Sequence, residues 1–276
     1  MQTIIHSVLL IVVIGLVGGV ILVIGSRLFS VEVDSRLWHV IDMLPGLNCG
    51  SCGNPGCAGY ASAILAGAPC DLCGPGGEAT ANAIALYLGR DPGHTTVRKA
   101  VVTCNGAADR LRSVEAYEGD PSCRVFDLMG YMTESCTYGC LGLGDCVASC
   151  PFDAIRINGN HVAAIDVGRC TACGICVDVC PRHVIAIHER SQTDSSSVVL
   201  CRNTMMGKRA QEACANACIG CGRCVGACPE GCITVMDHVA RINDACCTGC
   251  GSCIEVCPAK AIRPIDLSRR EKGALV

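Results

Sequence analysis

Residues 170–181, CTACGICVDVCP, decide the fold. Their cysteines, Cys170, Cys173, Cys176 and Cys180, follow the spacing C-x2-C-x2-C-x3-C-P. The same run returns at Cys218, Cys221, Cys224 and Cys228, and again at Cys247, Cys250, Cys253 and Cys257, each closed by a proline. Working outward, the runs belong to an internal repeat in which residues 140–187 resemble residues 218–265. Cys150-Pro151 matches Cys228-Pro229 at an offset of 78, and Cys180-Pro181 matches Cys257-Pro258 at an offset of 77. Between the paired motifs lie AIRINGNHVAAID and CITVMDHVARIND, with Gly159-Asn160 and Asp237 where hairpin turns fall. Each copy reads as two cysteine motifs joined by a hairpin.

The spacing has a chemical reason. Two-residue gaps wrap a tight loop, so three thiolates reach three corners of one [4Fe–4S] cube, and the fourth cysteine serves the neighbouring cube, as in bacterial ferredoxins. Gly174, Gly222 and Gly251 permit the tight backbone path. The second copy is therefore expected to hold one cube on Cys218, Cys221, Cys224 and Cys257, and another on Cys247, Cys250, Cys253 and Cys228. In the first copy Cys170, Cys173 and Cys176 join Cys150. The leading motif there is stretched, Cys136-x3-Cys140-x5-Cys146-x3-Cys150, and its expected cube uses Cys136, Cys140, Cys146 and Cys180. Zinc is the competing ion, but its sites use two separated pairs and often histidine. Three-cysteine runs ending in Cys-Pro do not match that pattern.

A further group stands apart: Cys49-x2-Cys52-x4-Cys57, then Cys70 and Cys73. Four ligands from five candidates suit another cube. Residues 58–66 and 78–88 around it read as helices, the second stopped by Gly89 and Pro92.

Composition agrees with a metal-held fold. The chain has 27 cysteines in 276 residues but only one Trp, five Tyr and three Phe, too few rings for several conventional cores. An odd cysteine count with tight spacings, in a chain longer than small secreted scaffolds, favours metal over disulfides. A net charge of -3 with no basic run argues against nucleic-acid binding. At 17% charged residues the chain is equally unlike an acidic disordered one.

The N-terminal end is different in kind. From Ile4 to Gly25 only His6 and Ser7 are polar, long enough at 1.5 Å per residue to cross about 30 Å of hydrocarbon. A signal peptide would show a basic start and a shorter apolar run. Arg27 and Arg36 follow the run, which predicts a single-pass anchor with the large remainder in the cytoplasm. No catalytic constellation is visible among the histidines, and GLVGGV lies inside the apolar run, so no dinucleotide fingerprint exists. The chemistry expected is one-electron transfer.

The stretches NCGSCGNPGCAGYASAI…CGPGGE and SCTYGCLGLGDCVASCPFDAI resemble the B subunit of the Rnf ion-translocating electron transport complexes. The order of anchor, iron–sulfur group and ferredoxin repeats is also similar, so the resemblance covers essentially the whole chain. It implies an electron-carrying subunit of a ferredoxin–NAD oxidoreductase in the cytoplasmic membrane. Its implied partners are soluble ferredoxin and the other membrane and peripheral subunits, which would hold the ion path and the NAD site. It also implies Cys49, Cys52, Cys57 and Cys73 as the N-terminal ligands, with Cys70 an extra cysteine beside them. The iron–sulfur subunit of another membrane oxidoreductase, of hydrogenase or formate dehydrogenase type, is the alternative class.

The expected fold class is α+β: an N-terminal transmembrane helix, a small helical iron–sulfur domain and two tandem bacterial-type 2[4Fe–4S] ferredoxin-like modules. The expected layout is an anchor at 1–26, the N-terminal [4Fe–4S] domain at 27–92 and a connecting region at 93–135. The modules fall at 136–187 and 214–265, with a linker at 188–213 between them and a tail at 266–276. Five cubes use 20 of the 27 cysteines. Of the rest, Cys104, Cys123, Cys201 and Cys214 flank the first module and are expected to bind a sixth.

Overall fold

The computed structural model describes residues 2–28, 34–91, 97–106, 117–130, 136–190 and 195–266. The tail after Asp266, together with Pro92 and His94, lies outside the described residues. The chain divides into two units, residues 1–39 and 40–276. The first is dominated by helix α1 (Gln2–Leu28), whose segment Ile4–Arg27 reaches a mean hydropathy of 3.2 over 18 residues, a window with no buried share. By length and composition it suits a bilayer.

The second unit carries everything else. Helix α2 (Ser35–Met43) enters it, and α3 (Gly56–Leu65) and α4 (Gly77–Leu88) build a small helical layer around Tyr60, Ile64 and Ile84. Gly89 ends α4 in the left-handed conformation that a helix cap requires, at φ 64°. Two ferredoxin-like modules follow, giving the α+β architecture. Each has a central hairpin: β2 (Ile155–Ile157) with β3 (Ala163–Ile165), and β6 (Ile233–Met236) with β7 (Val239–Ile242). Asp237 and His238 turn the second hairpin with positive φ at both positions, the two-residue turn that suits strand twist.

The module edges differ from the expected layout. Strand β1 (Val97–Val102) pairs antiparallel with β4 (Ile185–Arg190), and β5 (Ser195–Val199) pairs the same way with β8 (Ile262–Asp266). The stretches expected as connector and linker thus each donate a strand to a module. The reason is burial: VRKAVV and SSSVV each end in a Val-Val pair, and Val101, Val102, Val198 and Val199 are almost wholly buried. Val101, Val198 and Ile265 also pack together, joining one module to the other.

The repeat is accurate to the level of backbone conformation. Gly142 and Gly220, both at positive φ, bring a cysteine loop against the carbonyl of the equivalent hairpin residue, His161 or His238. At Gly220 an added Cβ would sit 2.8 Å from that carbonyl oxygen, whereas at Gly222, also at positive φ, it would meet nothing within 4 Å. Gly220→Ala should therefore destabilise the iron-loaded protein by about 2 kcal/mol or more, and Gly222→Ala by less, since it carries backbone strain alone. Thermal melts of the two variants check the order.

Candidate iron–sulfur sites

None of the 27 cysteines is in a disulfide. Most of them converge on separate pockets. Cys150, Cys170, Cys173 and Cys176 ring one cavity, Cys218, Cys221, Cys224 and Cys257 a second, and Cys228, Cys247, Cys250 and Cys253 a third, which Cys232, at the position of Ala154 in the first module, also lines. In each module the fourth thiol comes across from the partner motif. A fourth cavity is ringed by Cys123, Cys140, Cys146 and Cys180. The four enclose about 330, 350, 310 and 360 Å³ in that order.

The fourth cavity departs from the sequence expectation, which gave Cys136 to it. At the offset of 78, Cys140 and Cys146 align with Cys218 and Cys224, while the position of Cys221 is held by Leu143. A thiol is missing from the loop, and helix α5 (Cys123–Leu128) supplies it at its first residue. Leu143 packs against Cys123, Phe126 and Leu141, so the leucine that replaced a thiol helps seat the helix that restores one. The Asp145 carboxylate accepts from the Cys123 amide at 2.9 Å, the Arg124 amide at 3.1 Å and the Ser122 hydroxyl at 3.0 Å. Ser122 caps the same helix through the amide of Val125. On the far side Arg182 pairs with Asp127 at 2.6 Å and donates to the carbonyl of Thr137.

Cys136 points elsewhere. A Cβ on Gly139 would lie 3.8 Å from the Cys136 sulfur and 3.7 Å from that of Cys104, so those two thiols share a neighbourhood. Cys201 and Cys214, in the other module, also lie close enough for the charge on Cys214 to raise the Cys201 thiol.

In the helical layer Cys73 faces Cys49, Cys52 and Cys57. Burial, then the charges of Cys57, Cys49 and Cys52, push its thiol up. Cys70 is also raised, chiefly by burial, but its charged neighbours are Arg90 and Asp71. The tyrosine Tyr60 separates their roles: its hydroxyl donates to the Pro69 carbonyl at 2.9 Å and accepts from the Leu72 amide at 3.0 Å. This holds the 69–72 turn in place.

The electrostatics suit a cationic cluster. Burial first, then neighbouring cysteines, pushes the thiols of Cys146 and Cys176 up to about 12 and those of Cys140 and Cys224 up to about 11. Such groups ionise only when a metal replaces the proton. Backbone amides already point at several sulfurs: Ala154 to Cys150 and Ala172 to Cys170 at 3.4 Å, Ala163 to Cys140 and Ala240 to Cys218 at 3.5 Å. Hydrogen bonds of this kind tune cluster potentials.

Three of the sites are neighbours. Cys49 is near Cys173, and Gly74 packs so closely on the Thr171 carbonyl that a Cβ there would sit at 2.8 Å. Cys176 is near Cys146 in turn. The helical layer is therefore beside the cavity of Cys150, Cys170, Cys173 and Cys176, and that cavity is beside the one completed by Cys123.

Residues 135–184 and 217–261 match a family model described as a 4Fe-4S dicluster domain, residues 169–232 match a second model of that description, and residues 44–75 match a putative Fe-S cluster model. The B subunit of the Na(+)-translocating ferredoxin:NAD(+) oxidoreductase complex of Acetobacterium woodii is 40% identical over 236 residues, covering 85% of this chain and 70% of its own length. The B subunit of the ion-translocating oxidoreductase complex of Methanosarcina acetivorans is 37% identical over 244 residues, covering 88% of this chain and 91% of its own. The proton-translocating counterpart from Clostridium ljungdahlii is 34% identical, covering 78% and 75%.

Asp145 gives a test of the helix that carries Cys123. Asp145→Ala should cost about 1–2 kcal/mol of stability, the usual worth of a helix cap. It should also open Cys123 to alkylation in the iron-loaded chain, read by mass spectrometry. A protected Cys123 with an unchanged melting curve would show that the carboxylate does not hold the helix.

Proposed function

The chain belongs to the B-subunit family of ion-translocating ferredoxin:NAD oxidoreductase complexes, and from that premise we propose how its sites serve the electron path. It is an iron–sulfur electron-transfer subunit of such an oxidoreductase, and it carries [4Fe–4S] clusters. When bound, each cube accepts and releases one electron at a time. The ligand sets we assign are Cys49, Cys52, Cys57, Cys73; Cys150, Cys170, Cys173, Cys176; Cys123, Cys140, Cys146, Cys180; Cys218, Cys221, Cys224, Cys257; and Cys228, Cys247, Cys250, Cys253.

The observation that carries this reading is the set of neighbouring thiol-lined sites in one compact unit. The two modules differ in exposure: Cys170, Cys173 and Cys176 of the first are buried, whereas Cys221 and Cys250 of the second are exposed. Val225, Met236 and Val256 lie open on that module's surface too. We assign the second module as the docking face for soluble ferredoxin, and the helical layer as the end toward the membrane subunits. Helix α1 is assigned as a single-pass anchor with the iron–sulfur unit on the cytoplasmic side, since Arg27 and Arg36 follow the apolar run. One such helix offers no ion path, so ion movement falls to the partners.

Two experiments check the reading. Deleting residues 1–26 should release a brown, soluble fragment that keeps its visible spectrum; a fragment that still sediments with membranes lacking the other subunits would remove the anchor role. Cys73→Ser should lose up to about four irons per chain, one cube's content, while Cys70→Ser should lose none. Equal losses would withdraw the assignment of Cys73.

A further inference from the structure

Four cysteines outside the assigned sites sit at positions that the repeat makes equivalent. Val102 pairs with Ile185 and Val199 with Ile262, and those partners are 77 residues apart, the offset of the repeat. The next residues behave alike: the Thr103 amide donates to the Val184 carbonyl, and the Leu200 amide to the Ala261 carbonyl, both at 2.7 Å. Cys104 and Cys201 therefore occupy one position, directly after the strand that enters each module. Cys136 and Cys214 occupy another, each four residues ahead of a module's leading cavity thiol, Cys140 or Cys218. The equivalence extends to hydrogen bonds. The Cys140 amide donates to the Cys104 sulfur at 3.4 Å, and the Cys218 amide faces Cys201 in the same way.

The two pairs meet where the modules meet. The Asn105 amide donates to the Leu200 carbonyl at 3.0 Å, and the Asn216 side chain donates to the Asn105 carbonyl at 2.7 Å. These bonds join the residue after Cys104 to the residue before Cys201 and to the turn after Cys214. The Thr204 hydroxyl donates to that of Tyr138 at 2.8 Å, tying the loop that leaves Cys136 to the segment that leaves Cys201.

A second observation points to a missing acceptor at this place. Asn203 is 1% exposed; its carbonyl oxygen accepts from the Met205 amide at 2.8 Å, but its side-chain nitrogen has no partner. Its backbone amide donates to the Cys201 sulfur at 3.5 Å, so the orphaned donor belongs to a residue already at the thiol. Buried amide donors are seldom left unpaired, and a bound ion or cluster is one of the groups that satisfies them. Inorganic sulfide would accept the bond.

We propose that Cys104 and Cys136 from the first module, with Cys201 and Cys214 from the second, hold a sixth [4Fe–4S] cube on the pseudo-two-fold contact between the modules. The sequence expectation named Cys123 in this set; Cys123 is used at the neighbouring cavity, and Cys136 takes its place. The proposal rests on the electron-transfer reading for its role. The new site is next to Cys140 on one side and next to Cys218 on the other, so it fills the gap between the two modules.

The test is iron counting and spin quantitation on the anaerobically purified full chain. Six cubes require about 24 irons. Cys104→Ala and Cys201→Ala should each lose about four, and the double variant no more than either single, because cysteines from different modules serve one cube. A double variant that loses about eight, or singles that lose none, would overturn the shared site. As a reading independent of the variants, Cys104, Cys136, Cys201 and Cys214 of the loaded wild type should all resist alkylation, whereas the exposed Cys246 should react. A wild type with about 20 irons in which those four thiols alkylate sinks the junction site and leaves the five-site reading standing. A colourless, iron-free wild type sinks both.

Discussion

The structure depends on one constraint: a thiolate taken out of water must be neutralised, and here the neutralising charge is shared among four thiolates at a time. Burial pushes the cavity thiols well above an ordinary cysteine, to about 11 or 12 at Cys140, Cys146, Cys176 and Cys224. A cationic iron cluster replaces those protons, and its binding free energy becomes folding free energy. This explains how so few aromatic side chains suffice. The apolar clusters of the two modules consist of Ala, Val, Ile and the cysteines themselves, with small side chains closing around each cavity. A cube, when bound, would be the largest object in each core.

Legibility in the sequence follows from how local each signal is. The three regular C-x2-C-x2-C-x3-C-P runs name their cavities directly, because consecutive loop thiols and the crossed fourth ligand are fixed by spacing and by the repeat. The hairpins and the helices α3 and α4 were legible for the same reason. The module edges were not. VRKAVV and SSSVV are short, and nothing within either marks β4 or β8 as its partner; the pairing is a long-range burial decision. The ligand exchange was half legible. Reading Cys136 through Cys150 as one stretched motif follows chain proximity, whereas strict alignment to the second copy sets Leu143 opposite Cys221 and exposes the vacancy. That the vacancy is filled by Cys123 depends on Asp145, which stands where the second copy has Arg223 and holds the amide of Cys123.

The two copies thus differ around a common frame. The first has Leu143 where the second has a loop thiol, and takes its thiol from helix α5, between β1 and the leading motif, with Phe126 and Leu141 packed around it. The second keeps the short loop and leaves Cys221 exposed. Enclosure excludes water and protects a carrier inside a row, and exposure is what a carrier at the end of a row needs to meet a soluble partner.

Duplicated modules usually meet through whatever surface remains after each has closed its own core. Here the contact is built from positions that the duplication itself created in matched pairs, Cys104 with Cys201 and Cys136 with Cys214. Two thiols per module are too few to hold a cube. Joined across the pseudo-two-fold axis they become four. On that geometry neither module alone completes the set of sites, and the electron path continues between them only when both are folded and docked.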